Sequence, residues 1–196
     1  MTKGYNDEKR LRMLCGIDEA GRGPIAGDLV VAGCIFKTDT KIEGLNDSKK
    51  LSEKRRYELF EKILPNTLNH IVIISPQEID EFGISKCMTK ALNAIKNTLS
   101  ADSYLFDGNT TFGVEGLDTM VKADGKVAEV SAASILAKVT HDRNIIRDAN
   151  TYPEYGFEKH KGYGTKAHIA MIKEHGYCLI HRRSFKLKAL QGHSSK

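Results

Sequence analysis

Runs, alternations and three-to-four-residue recurrences of apolar positions divide the chain into predicted elements. A short apolar segment over 12–17 ends at the acidic pair Asp18–Glu19 and predicts a first strand. DLVVAGCIF over 28–36 predicts a second, reached through the turn AGRGPIAG. Amphipathic spacing over 51–64, with Ser52 near its start and Pro65–Asn66 at its end, predicts a helix. NHIVIIS over 69–75 reads as a third strand. Pro76 then suits the first turn of a short helix over 76–81. Ile84, Met88, Ala91, Leu92, Ile95 and Leu99 recur at helical spacing and predict another over 84–99.

DSYLFD over 102–107 predicts a fourth strand that stops at a carboxylate followed by glycine, and 119–121 a weaker fifth. A long helix follows over 129–149, and Ala132, Ala133 and Ala137 let it lie close to a sheet. Pro153 breaks it, and a further helix covers 166–175. Three strands joined by turns and one helix, then two alternating with helices, predict a mixed five-stranded sheet flanked by helices. No repeat or low-complexity stretch interrupts the pattern, so the 196 residues read as a single domain with a helical C-terminal segment over 150–196.

Composition adds limits. The chain is 40% hydrophobic and 28% charged, enough for one good core. No apolar run approaches the roughly 18 residues of a membrane span. The start MTKGYNDEKRLR lacks the apolar centre of an export signal. Four scattered cysteines without a C-x-x-C pair fit a reducing compartment, so the cytoplasm is expected. From Glu129 onward there are 12 Lys and Arg against 6 Asp and Glu; the first 128 residues hold 18 against 19. Six of the seven histidines share that basic last third, which points to a polyanionic partner.

The candidate chemistry lies in the carboxylates at strand ends. Asp18 and Glu19 close the first strand, Asp107 closes the fourth, and Asp124 follows the fifth. Side chains of a strand alternate faces, so the first strand is expected to end or twist at the acidic pair. Acids gathered in one place repel unless cations intervene, and oxygen ligands suit Mg²⁺. Two such ions roughly 3.5–4 Å apart would activate water and stabilise a leaving phosphate oxygen. Asp142, inside the long helix between His141 and Arg143, is the alternative fourth acid; its ordinary reading is a helix-face ion pair. Ser131 and Ser134 read as helix-capping or packing residues, and the histidine spacing makes no zinc site.

The blocks GIDEAGRGPIAG, NDSKKLSEKRR, DGN, VSAASILAKVTHDR, HKGYGTKAH and HRRSF, in this order, resemble the ribonuclease HII family. The resemblance implies a ribonuclease H-like α/β fold. It also implies cleavage of the RNA strand of RNA–DNA hybrids and nicking of duplex DNA 5′ to an embedded ribonucleotide. The ends left are 3′-hydroxyl and 5′-phosphate. Mg²⁺ or Mn²⁺, two ions with substrate bound, would be held by Asp18, Glu19, Asp107 and Asp124. Gly21, Arg22 and Gly23 would meet the 2′-hydroxyl through their backbone, and Tyr163 would pack on the neighbouring sugar. Lys49, Arg143, Lys161 and Arg182 are the candidate phosphate contacts. A monomer suffices. A nuclease of another nucleic-acid structure, a binding protein without catalysis and a small-substrate phosphatase are the competing readings. Asp28, after GPIAG, and His141, where arginine is frequent, depart from the family pattern.

Overall fold

The computed structural model describes residues 13–37 and 40–186. Arg12, with which the first predicted strand begins, and the tail QGHSSK lie outside them. Five strands form one sheet: β1 (Leu14–Ala20), β2 (Leu29–Phe36), β3 (Thr67–Ile74), β4 (Ser103–Asp107) and β5 (Asp118–Met120). Their order is β3-β2-β1-β4-β5, with β1–β2 and β2–β3 antiparallel and β1–β4 and β4–β5 parallel. The sheet is therefore mixed, as expected, and β1 lies beside β4.

Helices cover both faces because β1 and β2 are apolar on both. Cys15, Ile17, Leu29, Val31 and Ile35 pack on Met88, Leu92 and Ile95 of α2 (Pro76–Thr98). On the other face Val30, Ala32 and Cys34 meet Leu59 and Ile63 of α1 (Glu53–Asn66) and Ala132, Ala133 and Leu136 of α3 (Ala128–Thr151). The small residues bring α3 against β1 so closely that a Cβ on Gly16 would stand 2.3 Å from the Val130 nitrogen. Among the described residues no helix is long and apolar enough to cross a membrane.

Three expectations change in detail. The strand β1 runs three residues past Ile17 and carries both acids in regular pairing, Asp18 opposite Ala32 and Glu19 opposite Val31. The long apolar run of β2 supplies the partner backbone that keeps it extended. The helices expected over 76–81 and 84–99 form one stretch interrupted at Gly83, whose φ of 77° and ψ of 156° leave the helix. The helix α1 runs on through Pro65, its final carbonyls taken by the Asn66 amide (2.8 Å to Lys62) and the Thr67 hydroxyl (2.9 Å to Ile63).

The C-terminal part contains α4 (Phe157–His160) and α5 (Lys166–His175). It packs through Tyr155, Phe157 and Ile172 on Ile145 and Ala149 of α3 and on Ile25 and Ala26 of the turn after β1. Backbone bonds from Ile25 to Gly162, Gly27 to Ile180 and Arg182 to Ile25 tie that turn to two C-terminal loops. The sheet thus leads into a turn held from outside by the C-terminal part.

Candidate active site

The acids are brought together by sheet topology. Ile17 of β1 pairs with Phe106 of β4, so the next residues, Asp18 and Asp107, leave adjacent parallel strands side by side. One oxygen of Asp107, Oδ1, accepts the N–H groups of Lys122 (2.9 Å) and Ala123 (3.3 Å), fastening the short turn Ala123–Gly125 to the end of β4. That turn carries Asp124, whose carbonyl accepts the Ser131 hydroxyl from α3. One carboxylate oxygen from each of Asp18, Asp107 and Asp124 lies within 4.8 Å of the others. Glu19, the next residue of β1, is outside that set of three but lines the same cleft as Asp18. There its Oε1 pairs with Arg22 at 3.1 Å, while its Oε2 is buried and accepts no hydrogen bond from the described residues.

Burial and mutual repulsion dominate the electrostatics. Desolvation lifts Asp18 well above the carboxylate range, with the charges of Glu19 and Asp107 adding; the Ser134 hydroxyl and Glu19 N–H pull it back. Desolvation also raises Glu19, opposed first by Arg22. Asp124 is pushed up to about 6, chiefly by burial and then by Asp107 and Asp47. An acid whose folded pKa exceeds its unfolded value favours folding when protonated. The fold therefore loses stability as pH rises through the carboxylate range to about 6, and regains it on acidification. Asp124→Asn removes this penalty. In chelator at pH 7.5 the variant should be more stable than wild type by about 2 kcal/mol in urea unfolding, and added Mg²⁺ should stabilise it less than wild type. Equal or lower stability of the metal-free variant would remove the electrostatic argument.

A cluster this repulsive fits a divalent cation. The three gathered ligands are all carboxylate oxygens, the donor type that Mg²⁺ and Mn²⁺ take, and beside them the buried Glu19 Oε2 has no partner among the described residues.

Beside the acids lies a cleft of about 290 Å³ lined by Asp18, Glu19, Gly21, Arg22, Gly23, Lys49 and Tyr163. Gly21 has φ 86°, and a Cβ there would stand 2.4 Å from the Asp28 carbonyl and 2.5 Å from His141. Only glycine suits that position. A Cβ on Gly23 would lie 3.7 Å from the Tyr163 ring, so the turn and the tyrosine face each other. Ser48, Ser134 and Lys138 also line the cleft and were not singled out for it. Ser48 and Ser134 join through a 2.9 Å hydroxyl contact. The signal for Lys138 was its spacing, one helical turn before Asp142.

One expected phosphate contact, Arg182, is corrected, and two others, Arg143 and Lys161, stand outside the cleft. Arg182 is 1% exposed. It donates to the carbonyls of Gly27 (2.9 and 2.7 Å) and Pro24 (2.8 Å), with a longer contact to Arg22 (3.4 Å), so it braces the turn from behind. Arg143 lies over the rings of Tyr57 and Phe60 and pairs with Glu61 at 2.9 Å, outside the cleft. Lys161 also stands outside it and donates to the Glu158 carbonyl at 2.7 Å. The alternative fourth acid, Asp142, is paired with Lys138 (2.8 Å) and His141 (3.0 Å), and despite its burial these partners hold its pKa low. Asp28 accepts the Asn144 amide at 2.9 Å and so links the turn to α3.

A family profile described as Ribonuclease HII matches residues 15–188. The ribonuclease HII of Sulfurovum sp. (strain NBC37-1) is 60% identical over 183 residues, covering 93% of this chain and 96% of that protein. The ribonuclease HII of Aliarcobacter butzleri (strain RM4018) is 56% identical over 182 residues, covering 92% and 94%. Among solved structures, the PCNA:RNase HII complex from Archaeoglobus fulgidus superposes with a TM-score of 0.78 at 29% identity, covering 90% of this chain and 96% of that one. With the acid cluster at the sheet end and the match running almost from end to end, the chain belongs to the ribonuclease HII family of metal-dependent ribonucleases H.

Proposed function

We propose that this ribonuclease cuts the RNA strand of RNA–DNA hybrids and nicks duplex DNA on the 5′ side of a single embedded ribonucleotide, leaving 3′-hydroxyl and 5′-phosphate ends. The observation that carries the reading is the shared cleft. Asp18, one of the three clustered acids, lines with Glu19 the same cleft as the 21–23 turn and Tyr163.

Asp18, Glu19, Asp107 and Asp124 hold the cations in this reading. Mg²⁺ or Mn²⁺, two ions with substrate bound, supply the Lewis acidity that in-line hydrolysis of a phosphodiester requires. The backbone of Gly21–Gly23 meets the 2′-hydroxyl, the one group that separates ribose from deoxyribose. Tyr163 packs on the adjacent sugar, and its half-exposed ring is free to do so. Lys49 and Lys138 face the cleft and attract the backbone phosphates. Lys138 also offsets Asp142, so one ammonium serves the helix and the cleft. The buried thiols Cys15 and Cys34, both pushed up to about 12 by burial, are inert and suit a reducing compartment such as the cytoplasm. A monomer suffices in this reading, because the acids, the 21–23 turn and Tyr163 lie on one chain.

The test is end-labelled duplex DNA with one ribonucleotide, beside an RNA–DNA hybrid and an all-DNA control, in Mg²⁺, in Mn²⁺ and in chelator. Metal-dependent cleavage of the first two, with the nick 5′ to the ribonucleotide, is the expected result. Cleavage of the all-DNA control would overturn sugar reading by the turn. Cleavage of the hybrid alone would confine the activity to continuous RNA.

A further inference from the structure

Behind the Tyr163 loop lies a chain of hydrogen bonds whose direction can be read from its two ends. A backbone carbonyl only accepts, and the Tyr163 carbonyl stands 2.9 Å from His168 Nδ1, so that nitrogen carries a proton. At the other end a backbone N–H only donates. The Cys178 N–H reaches His181 Nδ1 at 2.9 Å, so that nitrogen is bare and accepts. The two rings meet between these ends, His168 Nε2 to His181 Nε2, at 3.0 Å. With His181 Nδ1 bare, its Nε2 carries the proton and His168 Nε2 accepts it.

The order is Cys178 N–H to His181, His181 to His168, and His168 to the Tyr163 carbonyl. The Cys178 thiol makes a second approach to His181 Nδ1 at 3.0 Å. A further proton on either ring would set two donors against each other. Burial opposes that proton: both rings are almost fully enclosed, and desolvation lowers both to about 4.

The loop at the end of this chain is tied to the facing turn at Gly162, whose carbonyl accepts the Ile25 N–H at 2.9 Å, and at Tyr163 it depends on fewer bonds. The Tyr163 ring is 48% exposed, and its neighbour Lys161 is left-handed at φ 49°. The loop backbone is held by Tyr163 N–H to the His160 carbonyl (2.9 Å) and Thr165 N–H to the Tyr163 carbonyl (2.8 Å). His168 is the side chain that fixes the same carbonyl from α5. His181 stands next to Arg182, which braces the facing turn.

We propose that His168 and His181 are positioning residues, a one-way hydrogen-bond relay that sets the Tyr163 ring against the substrate sugar opposite the 21–23 turn. The proposal rests on the reading in which Tyr163 packs on that sugar. Neither histidine touches substrate; each acts through the loop backbone.

Two measurements test it. Long-range ¹H–¹⁵N correlation spectra of the wild-type protein identify the protonated nitrogen of each ring. The expected pattern is Nδ1–H at His168 and Nε2–H at His181; the reverse pattern, or a doubly protonated ring at pH 7, overturns the relay. The second measurement is steady-state kinetics on duplex DNA with one ribonucleotide. His168→Phe keeps the ring volume and removes both bonds, and should raise KM about tenfold with kcat within about twofold. His168→Gln, whose amide supplies one donor and one acceptor, should recover most of that loss. Tyr163→Ala should match His168→Phe, and the double variant should be no worse than Tyr163→Ala alone, because displacing the loop matters only through the ring. Multiplying effects, or an unchanged KM in His168→Phe while Tyr163→Ala is impaired, sinks the relay alone. An unchanged KM in Tyr163→Ala sinks the sugar-packing reading and the positioning role together. If His168→Phe fails to fold, the spectra and the Gln variant still decide.

Discussion

Asp107→Asn is expected to reduce cleavage about a thousandfold or more while leaving the fold intact. The reasoning depends on what each oxygen of this carboxylate does. Oδ1 accepts two backbone N–H groups, from Lys122 and Ala123, and the Asn carbonyl accepts the same two. The turn bearing Asp124 therefore stays in place. What changes is the charge and the second oxygen, replaced by an NH₂ group that can only donate. Such a group cannot ligate a cation, and it stands within the cluster where Asp18 and Asp124 also need one. Single-turnover cleavage of the ribonucleotide duplex gives the rate. Thermal melting with and without Mg²⁺ separates the causes: wild type should gain stability with the ion and the variant should gain much less. Residual activity within tenfold of wild type would mean that Asp107 is a structural acid and that the remaining carboxylates suffice.

The second large effect is on stability. Arg182→Met should cost about 3–5 kcal/mol, because it leaves buried carbonyls of the 22–27 turn without a donor. The side chain is almost wholly enclosed, and burial brings its pKa down to about 10, so it remains charged at neutral pH. Its fork reaches two carbonyls at once, Gly27 and Pro24, with Arg22 at the limit. A lysine offers one ammonium and no fork, so Arg182→Lys should recover little. For a chain of this length the Met variant should melt about 10 °C lower. Urea unfolding supplies the free energy. A loss below about 1 kcal/mol would show that water replaces the guanidinium and that the turn holds itself.

The acid cluster was legible in the sequence because its signals are local. Asp18–Glu19 adjoins a glycine turn, Asp107 ends an apolar run, and Asp124 precedes the long helix. Adjacency of β1 and β4 has no local signal: a mixed sheet allows several strand orders, and the pairing of Ile17 with Phe106 decides this one. The continuation of β1 through Glu19 was not legible, since two acids argue against a strand until β2 is known to pair with them. Arg182 shows the opposite failure. A basic residue in a basic segment reads as a solvent-facing charge, and nothing in HRRSF tells which of two adjacent arginines is enclosed. Its role depends on three carbonyls more than 150 positions earlier in the chain. The histidine relay was hidden likewise, because each ring's tautomer is set by its neighbour rather than by its spacing. Lys138 looked like an ordinary helix residue until α3 was laid against β1, with its side chain at the rim of the cleft.

That long-range brace has a consequence for synthesis. The turn beside the acids is made well before the residue that secures it, which comes 155 positions later than Gly27. At about 5–20 residues per second, the gap is on the order of ten seconds or more. During that interval the sheet can begin to assemble around β1, β2 and β3, but the turn has no guanidinium behind it. A nascent chain is therefore a folding sheet before it is a nuclease, and the turn is braced only when the segment bearing Arg182 arrives.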